Sequence, residues 1–198
     1  MTLARSLAFL AALACVAAVP AGAQGQKYDV KSGIITFETL TTEGRVTTVG
    51  KIVLSFDDFG KKECKDTYVG GYLKESVLSD GKYTYTVWHD KRVVFKLGPS
   101  TAGTEIRFDW EGIPVHRRVT LKKLPDVVIA ERQCERFEQS RGTSTVRLAG
   151  WNHILLYRED RKTGGSRILR AVKFEEPAGI GAAKFLPPPA YDEKSTLF

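Results

Sequence analysis

Tyr72-Leu73-Lys74-Glu75-Ser76-Val77-Leu78-Ser79-Asp80-Gly81-Lys82-Tyr83-Thr84-Tyr85-Thr86-Val87-Trp88 decides the fold class. Tyr83, Tyr85 and Val87 alternate with Lys82, Thr84 and Thr86, the period-two spacing of a strand with one wet face. Ser79-Asp80-Gly81 supplies the turn, so the stretch predicts a β-hairpin over 72–88. The same alternation recurs outward from it. Ile52, Leu54 and Phe56 share one face with Lys51 and Ser55 opposite, and Ile106, Phe108 and Trp110 alternate with Glu105, Arg107 and Asp109. A second hairpin is predicted over 153–174, turning at Lys162-Thr163-Gly164-Gly165 and setting Ile154, Leu156 and Tyr157 against Ile168, Leu169, Val172 and Phe174. Turn signals punctuate the rest at Thr42-Glu43-Gly44, Asp58-Phe59-Gly60, Val69-Gly70-Gly71, His89-Asp90-Lys91 and Arg141-Gly142. Short strands joined this way form a meander.

Sixteen aromatic side chains, from Phe37 to Phe185, give more bulk than a flat sheet can cover without a second layer or a closed curve. The expected fold is therefore mainly β: a curved antiparallel sheet, an incomplete β-barrel, with at most one or two short helices. Two regions stay open. Val127, Ala130, Cys134 and Phe137 also fall at helical spacing in a stretch rich in Glu, Arg and Gln, so 125–138 reads equally as strand or helix. Residues 112–124 read as a strand or a connection. The tail from Pro177, with Pro187-Pro188-Pro189, is expected to lie as extended chain on the sheet and then fray.

The N-terminus carries one charge, Arg5, then an apolar run from Leu7 to Val19, then Pro20 and Ala21-Gly22-Ala23. That is the order of a secretory signal cut after Ala23. About 13 apolar residues are too few for a helix crossing a bilayer core, which needs ~20. The domain reading is thus a signal peptide over 1–23 and a single β-rich domain over 24–198 ending in a Pro-rich extension, 177–198, with a periplasmic location and no membrane span. Cys15 leaves a lipoprotein alternative, against which Ala12 lacks the usual leucine. Removing Arg5 with the signal takes the formal net charge from +7 to +6.

The exported part keeps two cysteines, Cys64 and Cys134. In an oxidising compartment one disulfide between them is the economical expectation, stabilising by about 4 kcal/mol through loop closure. The other reading is two separate buried thiols, since spacing does not place their Cα atoms. Neither cysteine sits in a Cys-x-x-Cys or four-ligand zinc pattern.

Catalytic patterns are not found. His89, His116 and His153 stand apart in sequence and form no H-E-x-x-H or H-x-H, so no metal is expected. Asp57-Asp58 and Glu175-Glu176 are adjacent on strands and point to opposite faces, which rules them out as a facing acid and base. No serine lies in G-x-S-x-G and no glycine pair precedes Lys-Ser/Thr. The reading is a non-enzyme without cofactor. The basic residues alternate with acids instead of forming a stripe, which argues against a nucleic-acid partner. What remains is apolar bulk. On a curved sheet it lines a concavity for an acyl chain or other apolar ligand, and the candidate lining is Phe56, Tyr83, Tyr85, Phe95, Phe108, Trp110 and Trp151.

Several phrases together resemble a known group: Tyr28-Asp29-Val30-Lys31-Ser32-Gly33-Ile34-Ile35, Phe56-Asp57-Asp58-Phe59-Gly60-Lys61-Lys62, Val127-Val128-Ile129-Ala130 with Cys134-Glu135-Arg136-Phe137, Ala149-Gly150-Trp151 with Ile154 and Leu156, and Ala171 to Pro177 running to Phe185-Leu186-Pro187. This pattern, spread over most of the exported chain, resembles small periplasmic β proteins of outer-membrane lipoprotein-carrier-like (LolA/LolB-like) fold. The resemblance implies a strongly curved antiparallel sheet whose open side is plugged by helices, and binding of lipid-like groups without catalysis. This chain departs from it by offering few helices. The expected function is an exported, non-enzymatic envelope protein that binds a lipid-like or apolar group in the concave face. The alternative is a periplasmic structural or protein-interaction module without a cavity, meeting an envelope partner through an edge strand or the tail.

Overall fold

The computed structural model describes residues 26–100, 108 and 120–195. The signal segment, Trp110, His116 and 112–119 lie outside the described residues, as does all but Phe108 of the strand expected around it. Among the described residues twelve strands run in order: β1 Gly33–Glu43, β2 Val46–Asp57, β3 Lys62–Val69, β4 Tyr72–Ser79, β5 Tyr83–Trp88, β6 Val93–Pro99, β7 Thr120–Ile129, β8 Arg132–Arg141, β9 Ser144–Trp151, β10 Ile154–Lys162, β11 Gly165–Glu175 and β12 Asp192–Ser195. The helical elements among the described residues are two 3₁₀ turns, Asp58–Gly60 and Ala182–Phe185.

All twelve strands form one sheet in the order β12-β6-β5-β4-β3-β2-β1-β11-β10-β9-β8-β7. Two hairpin meanders, β1 to β6 and β7 to β11, are joined by the antiparallel pairing of β1 with β11. The sheet is curved and open, not closed into a barrel. Both predicted hairpins are present: β4 pairs with β5 across Asp80 to Lys82, and β10 pairs with β11 across Thr163-Gly164. The 125–138 stretch is neither helix nor single strand but the β7–β8 hairpin, turning at Ala130-Glu131.

Alternation buries a different face in each half. Opposite residues of an antiparallel pair share a face, so Ile35 with Leu54, and Phe37 with Ile52, point one way. With Phe56, Phe137, Leu156 and Ala171 they form the main core. Tyr28 caps it: its ring lies 4.6 Å from that of Phe56, and its hydroxyl donates to Glu63 Oε1 at 2.6 Å. Phe108 closes the same core, its N–H donating to the His153 carbonyl at 2.9 Å and its ring lying 6.0 Å from that of Phe137. Gly150 is required beneath it, because a Cβ there would overlap the Phe108 ring.

The second core lies on the opposite face. Cys64 pairs with Ser55, whose side chain faces away from Leu54 and Phe56. Cys64, Leu78, Tyr85, Val87 and Val94 bury together beneath Phe185 of the tail. The tail does lie along the sheet, but it ends in a strand instead of fraying within the described residues. Ser32 Oγ donates to the Pro177 carbonyl, Phe185 plugs the second core, and β12 adds parallel to β6. It is a strap across the outer face.

The expected disulfide is not formed. Cys64 and Cys134 are separate buried thiols, the second of the two readings. β2, β1, β11, β10 and β9 lie between their strands, and the two thiols belong to different cores. Each has its own acceptor: the Cys64 thiol donates to Asp66 Oδ1, and the Cys134 thiol to the Arg132 carbonyl, both at 3.3 Å.

Candidate functional site

The face that carries the main core near Gly33 and Phe56 continues along the strands toward the β1–β2 turn, and there it is unfilled. A cavity of about 620 Å³ is lined by Thr39 and Thr41 of β1, Gly50 and Ile52 of β2, Thr67 and Val69 of β3, Val146 of β9, Asp160 of β10 and Arg167 of β11. One cavity touching strands from β3 to β9 requires that this face be concave. Deeper in, about 130 Å³ is bounded by Ile52, Lys65, Leu155, Arg158, Asp160, Arg167 and Leu169. Ile52, Asp160 and Arg167 border both, so the two form one trough.

Sequence builds this trough by changing what alternates. Toward the core the inward positions are Phe37, Leu54 and Phe56. Toward the turn they become Thr39, Thr41, Gly50 and Thr48, side chains too short to meet across the curve. Gly50 leaves room for the Thr39 hydroxyl, which a Cβ would approach at 2.7 Å. The floor is aliphatic, through Ile52, Leu155 and Leu169, and the walls carry charge. The lining holds Lys65, Arg158, Arg161, Lys162 and Arg167 with Glu43 and Asp160, five cations to two acids. Arg158 grips Asp160 through two hydrogen bonds of 2.7 and 3.0 Å. Arg161 reaches to Glu159 at 2.5 Å, a carboxylate also approached by Tyr157 and Arg147. Burial works to raise the Glu159 carboxyl, but Arg161, Tyr157 and Arg147 outweigh it and hold it below the usual range. A cationic wall over an aliphatic floor suits a molecule with an apolar part and an anionic part.

None of the six described residues expected to line a concavity borders this trough. Phe56 and Phe108 fill the main core. Tyr85 is buried in the outer core, and Tyr83 packs against it beneath the Lys96 ammonium, 3.7 Å from the ring centroid. Phe95 meets Trp88 edge-on at 4.8 Å between ring centroids, and Trp151 sits 5.7 Å from Phe174 with the Arg132 guanidinium 5.2 Å from its own ring. Trp110 lies outside the described residues. The residues that do form the trough are small or charged, and the signal available in sequence was the run of threonines in β1 and β2.

A second polar assembly lies on the outer face. Ser76 Oγ donates to Asp66 Oδ1 and sits 2.8 Å from His89 Nε2, while His89 Nδ1 is 3.2 Å from the Tyr191 hydroxyl. Lys184 Nζ donates to Asp66 Oδ2 at 2.6 Å. The trio Ser, His and carboxylate is present, but the serine lies between the other two, so no carboxylate orients the histidine as a base. Burial, with the neighbouring Asp66 charge, pushes the Cys64 thiol up to about 12, the opposite of an activated nucleophile. Burial also tends to raise Asp66, yet Lys184, Ser76 and Cys64 together hold its carboxyl below the ordinary value. The assembly is a clasp joining the strap, through Lys184 and Tyr191, to β3, β4 and the end of β5. Among the described residues no group of three or more His, Cys, Asp or Glu is placed to hold a metal ion. His153 pairs instead with Asp29, at 3.1 Å.

No protein-family model and no curated protein matches the sequence. Solved structures do. An uncharacterized conserved protein from Thermus thermophilus is similar over 81% of this chain and 90% of its own, with 11% identity and a TM-score of 0.53. MucB is similar over 84% of this chain, with 10% identity and a TM-score of 0.52, and this chain spans 60% of the length of MucB. A LolA superfamily protein, NE2245 from Nitrosomonas europaea, aligns over 81% of this chain and 92% of its own at 9% identity and a TM-score of 0.39. The first two likenesses, at 11% and 10% identity, are of fold alone. Among the described residues no helix is long and apolar enough to cross a membrane.

Proposed function

We propose that this is an exported envelope protein, periplasmic after loss of residues 1–23, that binds an amphiphile in the concave trough without catalysing its conversion. The exported chain is read as one β domain whose last segment is the strap. The carrying observation is the trough itself: about 620 Å³ of open space on the concave face, continuous with an aliphatic floor and walled by an excess of cations. That volume falls in the range of small-molecule sites, ~300–1,000 Å³. The expected acyl or apolar ligand is thereby narrowed to one with an anionic end, which Lys65 and Arg167 would meet while Ile52, Leu155 and Leu169 take the chain. The fold shared with MucB is compatible with this reading and adds no ligand to it.

The test is titration with a fluorescent fatty acid, followed by native mass spectrometry of protein taken from the periplasm. Saturable uptake is expected, weakened at least about tenfold when Thr39→Trp fills the trough, which is roughly the loss of 1.4 kcal/mol of binding. Uptake that is absent, or indifferent to Thr39→Trp, would overturn the assignment. The alternative, a protein-interaction module, has one observation in its favour: β7 ends the sheet with Val128 62% exposed. Crosslinking to an envelope partner that Val128→Asp abolishes would support it.

A further inference from the structure

Exposed apolar side chains are not scattered evenly over this protein. Of the nine exposed large hydrophobics among the described residues, Leu40, Val46, Val49, Val69 and Tyr72 stand at the end of the sheet where the trough opens. Val46 is 67%, Val49 64% and Tyr72 74% exposed. Isolated exposed aliphatics need no explanation, but a group gathered at one end does.

The architecture of that end is set by strand register. Glu43 pairs with Gly165, Lys162 with the same Gly165, and Arg161 with Thr145, so the β1–β2, β10–β11 and β8–β9 turns finish level with one another. The Gly44 N–H donates to the Gly164 carbonyl at 2.9 Å and ties the first two together. The β3–β4 turn lies further back, because its Val69 pairs with Gly50, well inside β2. The level tips and the strand ends behind them carry Arg45, Arg141, Arg161, Lys162 and Arg167, all exposed, against Glu43 and Asp160. Apolar tips are thus interleaved with positive charge.

We infer that this end of the sheet is a docking surface for an anionic phospholipid bilayer. Two observations select that occupant. The first is charge: five cations to two acids around exposed valines is a composition that attaches a protein to the interface of an anionic membrane, the cations meeting headgroups and the aliphatics entering below them. The second is shape. Leu40 and Val49 form one cross-strand pair within β1 and β2, Val69 and Tyr72 another further back, and Val46 stands beside the β1–β2 turn, with Thr41, Thr42, Thr47 and Thr48 between, so they form no single flat patch for a folded partner to cover. A fluid surface conforms to such an uneven rim. The inference does not depend on the trough holding an amphiphile. If both hold, the trough opens against the surface from which an amphiphile would come.

The experiment is cosedimentation of the purified protein with phosphatidylcholine vesicles, with and without phosphatidylglycerol, alongside the fatty-acid titration above. Binding is expected only to the phosphatidylglycerol vesicles, falling as salt is raised. The exposed double variants Val46→Asp/Val49→Asp and Arg45→Glu/Lys162→Glu should each weaken it at least about tenfold, a loss large enough to reflect several surface contacts. Val128→Asp, at the far edge of the sheet, should leave it unchanged. Failure to bind either vesicle overturns the inference, as does binding that survives Val46→Asp/Val49→Asp. Self-association removed by the same variant, without vesicle binding, would assign the surface to a second copy of the chain and also overturn it. Fatty-acid uptake is read separately, so failure of one assignment is distinguishable from failure of the other.

Discussion

Glu63 is fully buried, and its carboxylate is held by Lys27 at 2.7 and 2.8 Å and by Tyr28 at 2.6 Å. These contacts fasten the segment before β1 over the main core, next to Phe56. Removing one partner of a buried charged pair leaves the other desolvated and uncompensated, which costs about 3–5 kcal/mol. Glu63→Ala is therefore expected to destabilise by about that much in urea unfolding, whereas Tyr28→Phe, which leaves Lys27 in place, should cost about 1 kcal/mol. Equal effects would mean that the tyrosine, not the charge pair, secures the segment. Cysteine chemistry at this scale was only half legible. Their number and compartment favoured a bridge, but strand order is not written locally, and it is strand order that puts Cys64 and Cys134 into different cores. Burial pushes Cys64 up to about 12 and Cys134 up to about 11. Both thiols should accordingly stay unreactive toward a thiol reagent in native buffer and react together on unfolding.

At the scale of elements, the hairpins were readable wherever a glycine marked the turn, as at Asp80-Gly81 and Gly164-Gly165. The β7–β8 hairpin was not, because its turn residues are Ala130 and Glu131 at φ of 45° and 64°, a left-handed conformation that neither residue type advertises. A register shift between Leu124 and Val127 further breaks the alternation of β7, which is why a helical spacing competed there. The strap was missed as a strand for a related reason: Asp192-Glu193-Lys194-Ser195 is wholly polar and joins an edge, where no apolar alternation is demanded. Its clasp has a pH signature. Asp66 is held below its ordinary value, so its contribution is complete above about pH 4 and is lost as the pH falls through the lowered value. His89 is lowered chiefly by burial, so its contribution is complete above about pH 6.5 and is likewise withdrawn on acidification. Both slopes have the same sign. The urea midpoint should fall as pH drops from about 6.5, and His89→Gln should flatten the upper part of that fall, leaving the lower part, due to Asp66, intact. An unchanged profile in the variant would remove His89 from the clasp.

For the whole molecule, the sheet has a filled end and an open end, and the six described aromatics expected along a concavity do not border the open one. Large side chains at inward positions close a concave face, as Phe37, Phe56 and Phe137 do, while the threonines and Gly50 keep the trough open. Bulk therefore marks the core, and its absence marks the trough. The strap lies on the other face, against Leu78, Tyr85, Val87 and Val94, and shares no residue with the trough. Deleting residues 177–198 should consequently separate two properties. It uncovers an apolar surface and frees the edge of β6, a template for intermolecular strand pairing, so the truncated protein is expected to self-associate in sedimentation velocity. Fatty-acid uptake per chain should persist within about twofold, because the trough is built on the face of β1 to β3 and β9 to β11 opposite the strap. A truncated chain that stays monomeric and well folded would show that the strap does not guard the edge. One that is soluble yet loses uptake would place the tail in the binding site, against the geometry of the two faces.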